Sequence, residues 1–296
     1  MNVRPILIAG AMAAGLFAAQ AHAEPDWTAV SQALGKAGAM QPGGIYKVSL
    51  PRTDLKVTLD GVPLKAGFAL GSWVGFEPMG NDAMVMGDLV LTHSEVNPVM
   101  SKLEAGGFEV TALHNHLLRS EPATMYMHVE AHGDPVKLAA ALHAGLALSH
   151  TPFAAPAAPA AATAALGIDV AAIDGVIGAK GKLNGGILQY SLPRRETVRS
   201  GGMEVPPAMG TAIAINFQPL GPGRAAITGD FVLVAKEVNP VIRALRSHGI
   251  EVTAVHNHML EDEPRLFFMH FWAAGEARSL AAGLAAALAE TNVQRG

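Results

Sequence analysis

Apolar and polar residues alternate with a period of two through several stretches of the chain, which is the pattern of half-buried strands. Tyr46, Val48 and Leu50 alternate with polar neighbours between Gly43-Gly44 and Pro51-Arg52, and Gly185-Gly186 to Pro193-Arg194 repeats that frame. Further strands are expected over 56–64, 69–77 and 84–91, then over 109–118 with an antiparallel return at 124–132. Helical spacing takes over elsewhere. Segments 27–38 and 170–181 are short, apolar-periodic and end in glycine. Asn97-Pro98 is read as a helix start, because Asn caps well and Pro suits the first helical position. Gly106-Gly107, or Gly249 in the second half, closes that helix. Alanine- and leucine-rich segments 135–148 and 277–289 supply the last helix of each half.

Each half therefore reads α-β-β-β-β-α-β-β-α. The expected fold class is α+β, in two tandem repeats, each an antiparallel sheet with helices on one face. The latter part of each repeat has the strand–helix–strand–strand–helix order of a ferredoxin-like unit. Between Glu95 and His128, 19 of 34 positions are identical to Glu237 through His270, at a constant offset of 142. A core needs only apolar residues of suitable size. Identity among polar residues at fixed spacing points instead to a repeated site.

The ends and the middle of the chain add organisation. A short basic start, an apolar run from Pro5 to Gln20 and Ala21-His22-Ala23 form the pattern of a cleaved secretory leader, 1–23. The expected product is periplasmic or secreted, cut after Ala23. Repeat domains are expected at 24–150 and 164–296, joined by an Ala/Pro-rich linker at 151–163. No later run approaches the ~20 apolar residues of a membrane span. A net charge of -4 and pI near 6.3 give no electrostatic footprint for nucleic acid. Cysteine is absent, so disulfides and a lipid-modified cysteine are excluded. Oligomeric state is not legible.

The candidate chemistry is His114-Asn115-His116, written again as His256-Asn257-His258. Strand alternation puts His114 and His116 on one face, which the return strand shares through His128 and Glu130. Met125, Met127, Val129 and Ala131 then face the helices, as do Phe267, Met269, Phe271 and Ala273. A hairpin turning at Pro122 would set His116 opposite His128 and His114 opposite Glu130. Three imidazoles and a carboxylate suit a transition metal such as zinc, copper, manganese or iron. The expected ligands are His114, His116, Glu121 and His128, with His256, His258, Glu263 and His270 in the second half. Glu121 and Glu263 are also the candidate bases if the protein is a metal-dependent hydrolase. A metal-free module binding an envelope sugar or small anion remains open. Glu95 and Glu237 read as helix-start charges; Arg52 and Arg194 could hold an anion or pair with an acid. Leu266, Phe268 and Trp272 would leave the second open face too apolar for water. The two open faces are therefore expected to meet as a pseudo-symmetric pair around a shared histidine cleft.

Several phrases resemble one family: GGIYKVSLPR (43–52), MGDLVL (86–91), EVNPVM (95–100), EVTALHNHLL (109–118) and MYMHVEAHGDPVKLAAAL (125–142). They are similar to the LppY/LpqO family, exported bacterial proteins with a domain of unknown function. The resemblance covers nearly all of the chain after the leader and implies export and a repeat. It implies no activity. Lipid anchoring is not carried over, since no cysteine is present.

Overall fold

The computed structural model describes residues 24–154 and 166–295. The expected leader and most of the expected linker lie outside these residues. The first half runs α1 (Trp27–Leu34), β1 (Ala39–Gln41), β2 (Ile45–Pro51), β3 (Thr58–Leu59), β4 (Val62–Pro63), α2 (Ala66–Ala69), β5 (Gly71–Met79) and β6 (Asp82–Thr92). It continues through α3 (His93–Ala105), β7 (Glu109–His114), β8 (Ser120–Glu121), β9 (Thr124–Gly133) and α4 (Pro135–Leu146).

The second half repeats the order. It runs α5 (Val170–Ile177), β10 (Lys182–Asn184), β11 (Ile187–Pro193), β12 (Arg199–Ser200), β13 (Met203–Glu204), a 3-10 turn at Pro207–Met209, β14 (Ala212–Gly221) and β15 (Arg224–Val234). Then come α6 (Ala235–Ser247), β16 (Glu251–His256), β17 (Asp262–Glu263), β18 (Leu266–Glu276) and α7 (Ala277–Ala289).

Each half is a six-stranded antiparallel sheet, ordered β1-β2-β5-β6-β9-β7 and β10-β11-β14-β15-β18-β16. Helices cover one face only. Val30, Leu34, Val99, Leu103, Leu138 and Leu142 pack on Val48, Val74, Val85, Met127 and Val129 in the first half. The α+β reading, with two tandem repeats, holds. So does the face assignment, since Met127, Val129, Met269 and Phe271 lie under the helices while His128 and His270 point away.

Two local expectations change. The helix expected to start at Asn97-Pro98 begins one turn earlier at His93, and Pro98 lies inside it. Glu95 explains the shift: it reaches back to the Thr92 N–H at 2.8 Å, as Glu237 does to Val234 at 3.0 Å. Glu95 and Glu237 also hold Arg52 and Arg194. Arg52 is fully buried and bonds Glu95 twice, Asp54 twice and the Val90 carbonyl. These arginines pair with acids. Burial acts to raise the Glu95 pKa, but Arg52 and the Thr92 and His150 amides hold it down, at about 2.

The stretch at 56–64 is no sheet strand. It is a small hairpin, β3–β4, that pairs with β8 as a satellite sheet. With α2 it forms an arm reaching across to the other half's open face. Lys65 N donates to Gln218 Oε1 at 2.9 Å, Gln218 Nε2 to the Pro63 carbonyl at 2.8 Å, and Phe68 meets Trp272 edge-on at 6.3 Å. The second half's arm answers: Lys47 Nζ donates to the Ala208 carbonyl at 2.8 Å, and Met209 packs where Gly75 leaves room. Leu266, Phe268 and Trp272 are all buried. The open faces meet, and the exchanged arms lock them together.

Candidate metal centre

β7 and β16 each lie at one edge of their sheet, and the histidine motif sits where they end. In each, a β-bulge precedes the motif, between Val110 and Ala112 and between Val252 and Ala254. A bulge re-aims the extra residue. Here it turns Thr111 and Thr253 toward the other half. Thr111 Oγ1 donates to the His258 carbonyl, and Thr253 Oγ1 to the His116 carbonyl at 2.6 Å. Asn257 Nδ2 adds a bond to the Thr111 carbonyl at 2.9 Å. The turns that carry His116 and His258 are thus each held by the opposite half.

The bulge also changes the expected register. His114 lies opposite Tyr126, and Ala112 opposite His128. His128 instead has Asp88 directly across from it on β6, as His270 has Asp230 on β15. Asp88 and Asp230 are the carboxylates of the site. Glu121 and Glu263 lie exposed on the satellite strands β8 and β17, paired with Thr58 and Arg199. They stand outside every group of converging ligand atoms.

The six motif histidines converge: the second half's three gather with Asp230, whereas in the first half His116 and His128 gather with Asp88 and His114 groups with histidines of both halves. His114 stacks on His256 with ring centroids 3.5 Å apart, His116 on His270 at 3.5 Å, and His128 on His258 at 3.8 Å. A pseudo-twofold axis runs between His114 and His256. Four groups of donor atoms lie within 4.8 Å of one another: Asp88, His116 and His128; Asp230, His256, His258 and His270; His114, His116 and His270; and His114, His128 and His256. Donors on one ion with bonds of ~2.0–2.1 Å stand about 3–4 Å apart. These groups could hold a metal ion with small side-chain movements.

The hydrogen bonds say which ring atoms are free. His270 Nδ1 lies 2.8 Å from the Gly229 carbonyl and His256 Nδ1 3.0 Å from the Asn257 carbonyl. A carbonyl only accepts, so Nδ1 carries the proton and Nε2 presents a bare lone pair. Nε2 of His114, His116, His128, His256, His258 and His270 is buried without a hydrogen-bond partner, as are His114 Nδ1, Asp88 Oδ1 and Asp230 Oδ1. Among the described residues only Ser120 Oγ shares that condition elsewhere. His258 Nε2 comes within 3.2 Å of Asp230 Oδ2, without hydrogen-bond geometry.

Burial, and then the neighbouring imidazoles, hold His116, His128 and His258 well below the usual histidine range. Burial pushes His270 down to about 3 against the opposing pull of Asp230. Burial, then the charge of Asp230, raises Asp88 well above the carboxylate range. Unprotonated imidazoles are the form that ligates.

A cleft of about 970 Å³ opens onto this centre and reaches Asp88, His116, His128, Asp230, His258 and His270. Its outer wall carries Lys47, Trp73, Glu77, Gln189, Glu204 and Asn216. No helix among the described residues is long and apolar enough to cross a membrane.

No curated protein matches the chain. Among solved structures it is similar to a trimeric bacterial microcompartment shell protein, PduB, at 11% identity and TM-score 0.23, over 87% of this chain and 91% of that one. EtuB from Clostridium kluyveri is similar at 8% identity and TM-score 0.20, over 86% and 91%. Scores that low leave both without bearing on the site. A family model matches twice, at residues 28–148 and 171–290, once over each half. The chain belongs to the family described as Domain of Unknown Function (DUF1259), in two tandem copies.

Proposed function

We propose that this is an exported, periplasmic metal-binding protein whose two repeats build one histidine-rich centre between them. Asp88, His116 and His128 hold one ion, and Asp230, His258 and His270 hold its pseudo-symmetric mate. His114 and His256 stand between the two sets and complete either. The observation that carries this is the set of buried, unpartnered donor atoms aimed at one another. Each such atom left unmet costs about 1–3 kcal/mol. Summed over the centre, that rivals the ~5–15 kcal/mol of net stability of a whole domain. Ions ligated by these atoms remove the penalty.

Nitrogen and oxygen donors without thiolate favour zinc, manganese, iron or oxidised copper. Export rests on the leader pattern at 1–23, and the resemblance to the LppY/LpqO proteins agrees with it. The repeats would occupy 24–150 and 164–296, with the Ala/Pro linker at 151–163 between them. A second reading, a metal-dependent hydrolase, is favoured by the cleft that opens onto the centre. An ion with an open position there would activate water. Metal analysis of protein purified without a histidine tag tests the first reading. A protein that carries no ion and takes up none removes both.

A further inference from the structure

We propose that Lys47 is an oxyanion-binding residue that positions the negatively charged group of a small molecule against the metal centre. This rests on the metal-binding reading and names the ligand class. Lys47 lies on the open face of β2, on the wall of the cleft that leads to Asp88 and His128. Its ammonium has three donors and makes one hydrogen bond, to the Ala208 carbonyl. It sits over the Trp73 ring, 3.8 Å from the centroid. Among the described residues no carboxylate forms an ion pair with it. A largely desolvated cation with donors to spare, facing a cleft, is the chemistry that meets an anion.

Comparison with the other repeat isolates the charge. Gln189 occupies the equivalent position and does the same structural task, donating Nε2 to the Gly67 carbonyl of the crossing arm at 3.3 Å. An amide is therefore enough to hold an arm. The first half alone places a cation there, and it alone adds the Trp73 ring, where the second half has Ala214. Burial lowers the Lys47 pKa to about 8, with Asp88 acting against the shift. An incoming oxyanion would hold the ammonium charged.

The test is Lys47→Gln, which copies the other repeat and keeps the bond to the arm. Inorganic phosphate and, in a parallel arm, acetate are titrated calorimetrically into wild-type and K47Q protein, each metal-loaded and metal-free. Metal content is measured first. The expected result is unchanged metal content, with phosphate or acetate binding weakened about tenfold or more in K47Q. The tighter of the two anions identifies the group. Equal binding by both proteins, or none by the wild type in either form, overturns the proposal. Failure of the wild type to take up metal removes the metal reading instead, and the metal-free titrations then decide the role of Lys47 alone.

Discussion

His114 and His256 occupy the same place in the two repeats, and their imidazoles lie face to face, 3.5 Å between centroids and 23° between planes. Neither repeat can build this arrangement alone. His128 stacks on His258 and His116 on His270, so each half's return-strand histidine leans on the other half's motif. A defect in one half is therefore expected to reach the ligand set of both.

Mutation should separate the two kinds of carboxylate. Asp88→Asn keeps the side chain's shape and replaces a ligating oxygen, so metal affinity should fall by at least ~10–100-fold, the scale of losses at supporting residues. Glu121→Gln, on an exposed satellite strand, should leave metal content unchanged. Calorimetric titration of both variants with zinc and manganese checks the pair.

Thr111→Val removes the hydroxyl that bonds the His258 carbonyl and leaves that carbonyl without its partner. A stability loss of about 1–3 kcal/mol is expected in urea unfolding. Metal affinity should fall as well, because the turn bearing His258 loses its tether.

Arg52→Met leaves Glu95 buried without its cation, and breaking such a pair costs about 3–5 kcal/mol. The pH dependence follows from the same pair. Glu95 ionises at about 2 in the fold against an ordinary 4.5. Its stabilisation is complete above 4.5 and is lost as pH falls through about 2. Glu95→Gln should flatten that part of the acid-unfolding curve, measured by circular dichroism.

Bound metal should stabilise the fold by mass action, by ~2.7 kcal/mol at a free ion concentration a hundredfold above Kd. Chelation should lower the midpoint of thermal unfolding and added ion restore it. An Asp88→Asn, Asp230→Asn double variant should show neither change.

Much of this was legible in the residues. Alternation in β9 located its buried face, because the helix-side set is uniformly apolar and the other side carries the histidines. Leu266, Phe268 and Trp272 signalled that the second open face had to be covered. The carboxylates that converge with the histidines, Asp88 and Asp230, were missed. Gly87-Asp88 and Gly229-Asp230 recur at the same offset of 142, an acid in the middle of an apolar strand. That recurrence was the available signal; Glu121-Pro122 also recurs, nearer to the motif, but with Glu121 on a satellite strand. The gathering of one half's three histidines was legible and holds in the second half, but the stacking of the two motifs on each other was not legible. It depends on a bulge that shifts the register and on arms that cross between halves, and neither leaves a local pattern.

The most direct test of a shared centre is elemental analysis joined to X-ray absorption at the metal edge, on protein purified without a histidine tag. A shared centre should show a bound transition metal with imidazole nitrogen and carboxylate oxygen at ~2.0–2.2 Å. His258→Ala should perturb the signal from the ion beside Asp88, since His258 stacks on His128. Protein that holds no metal, and accepts no zinc, copper, manganese or iron when offered, would contradict a shared centre.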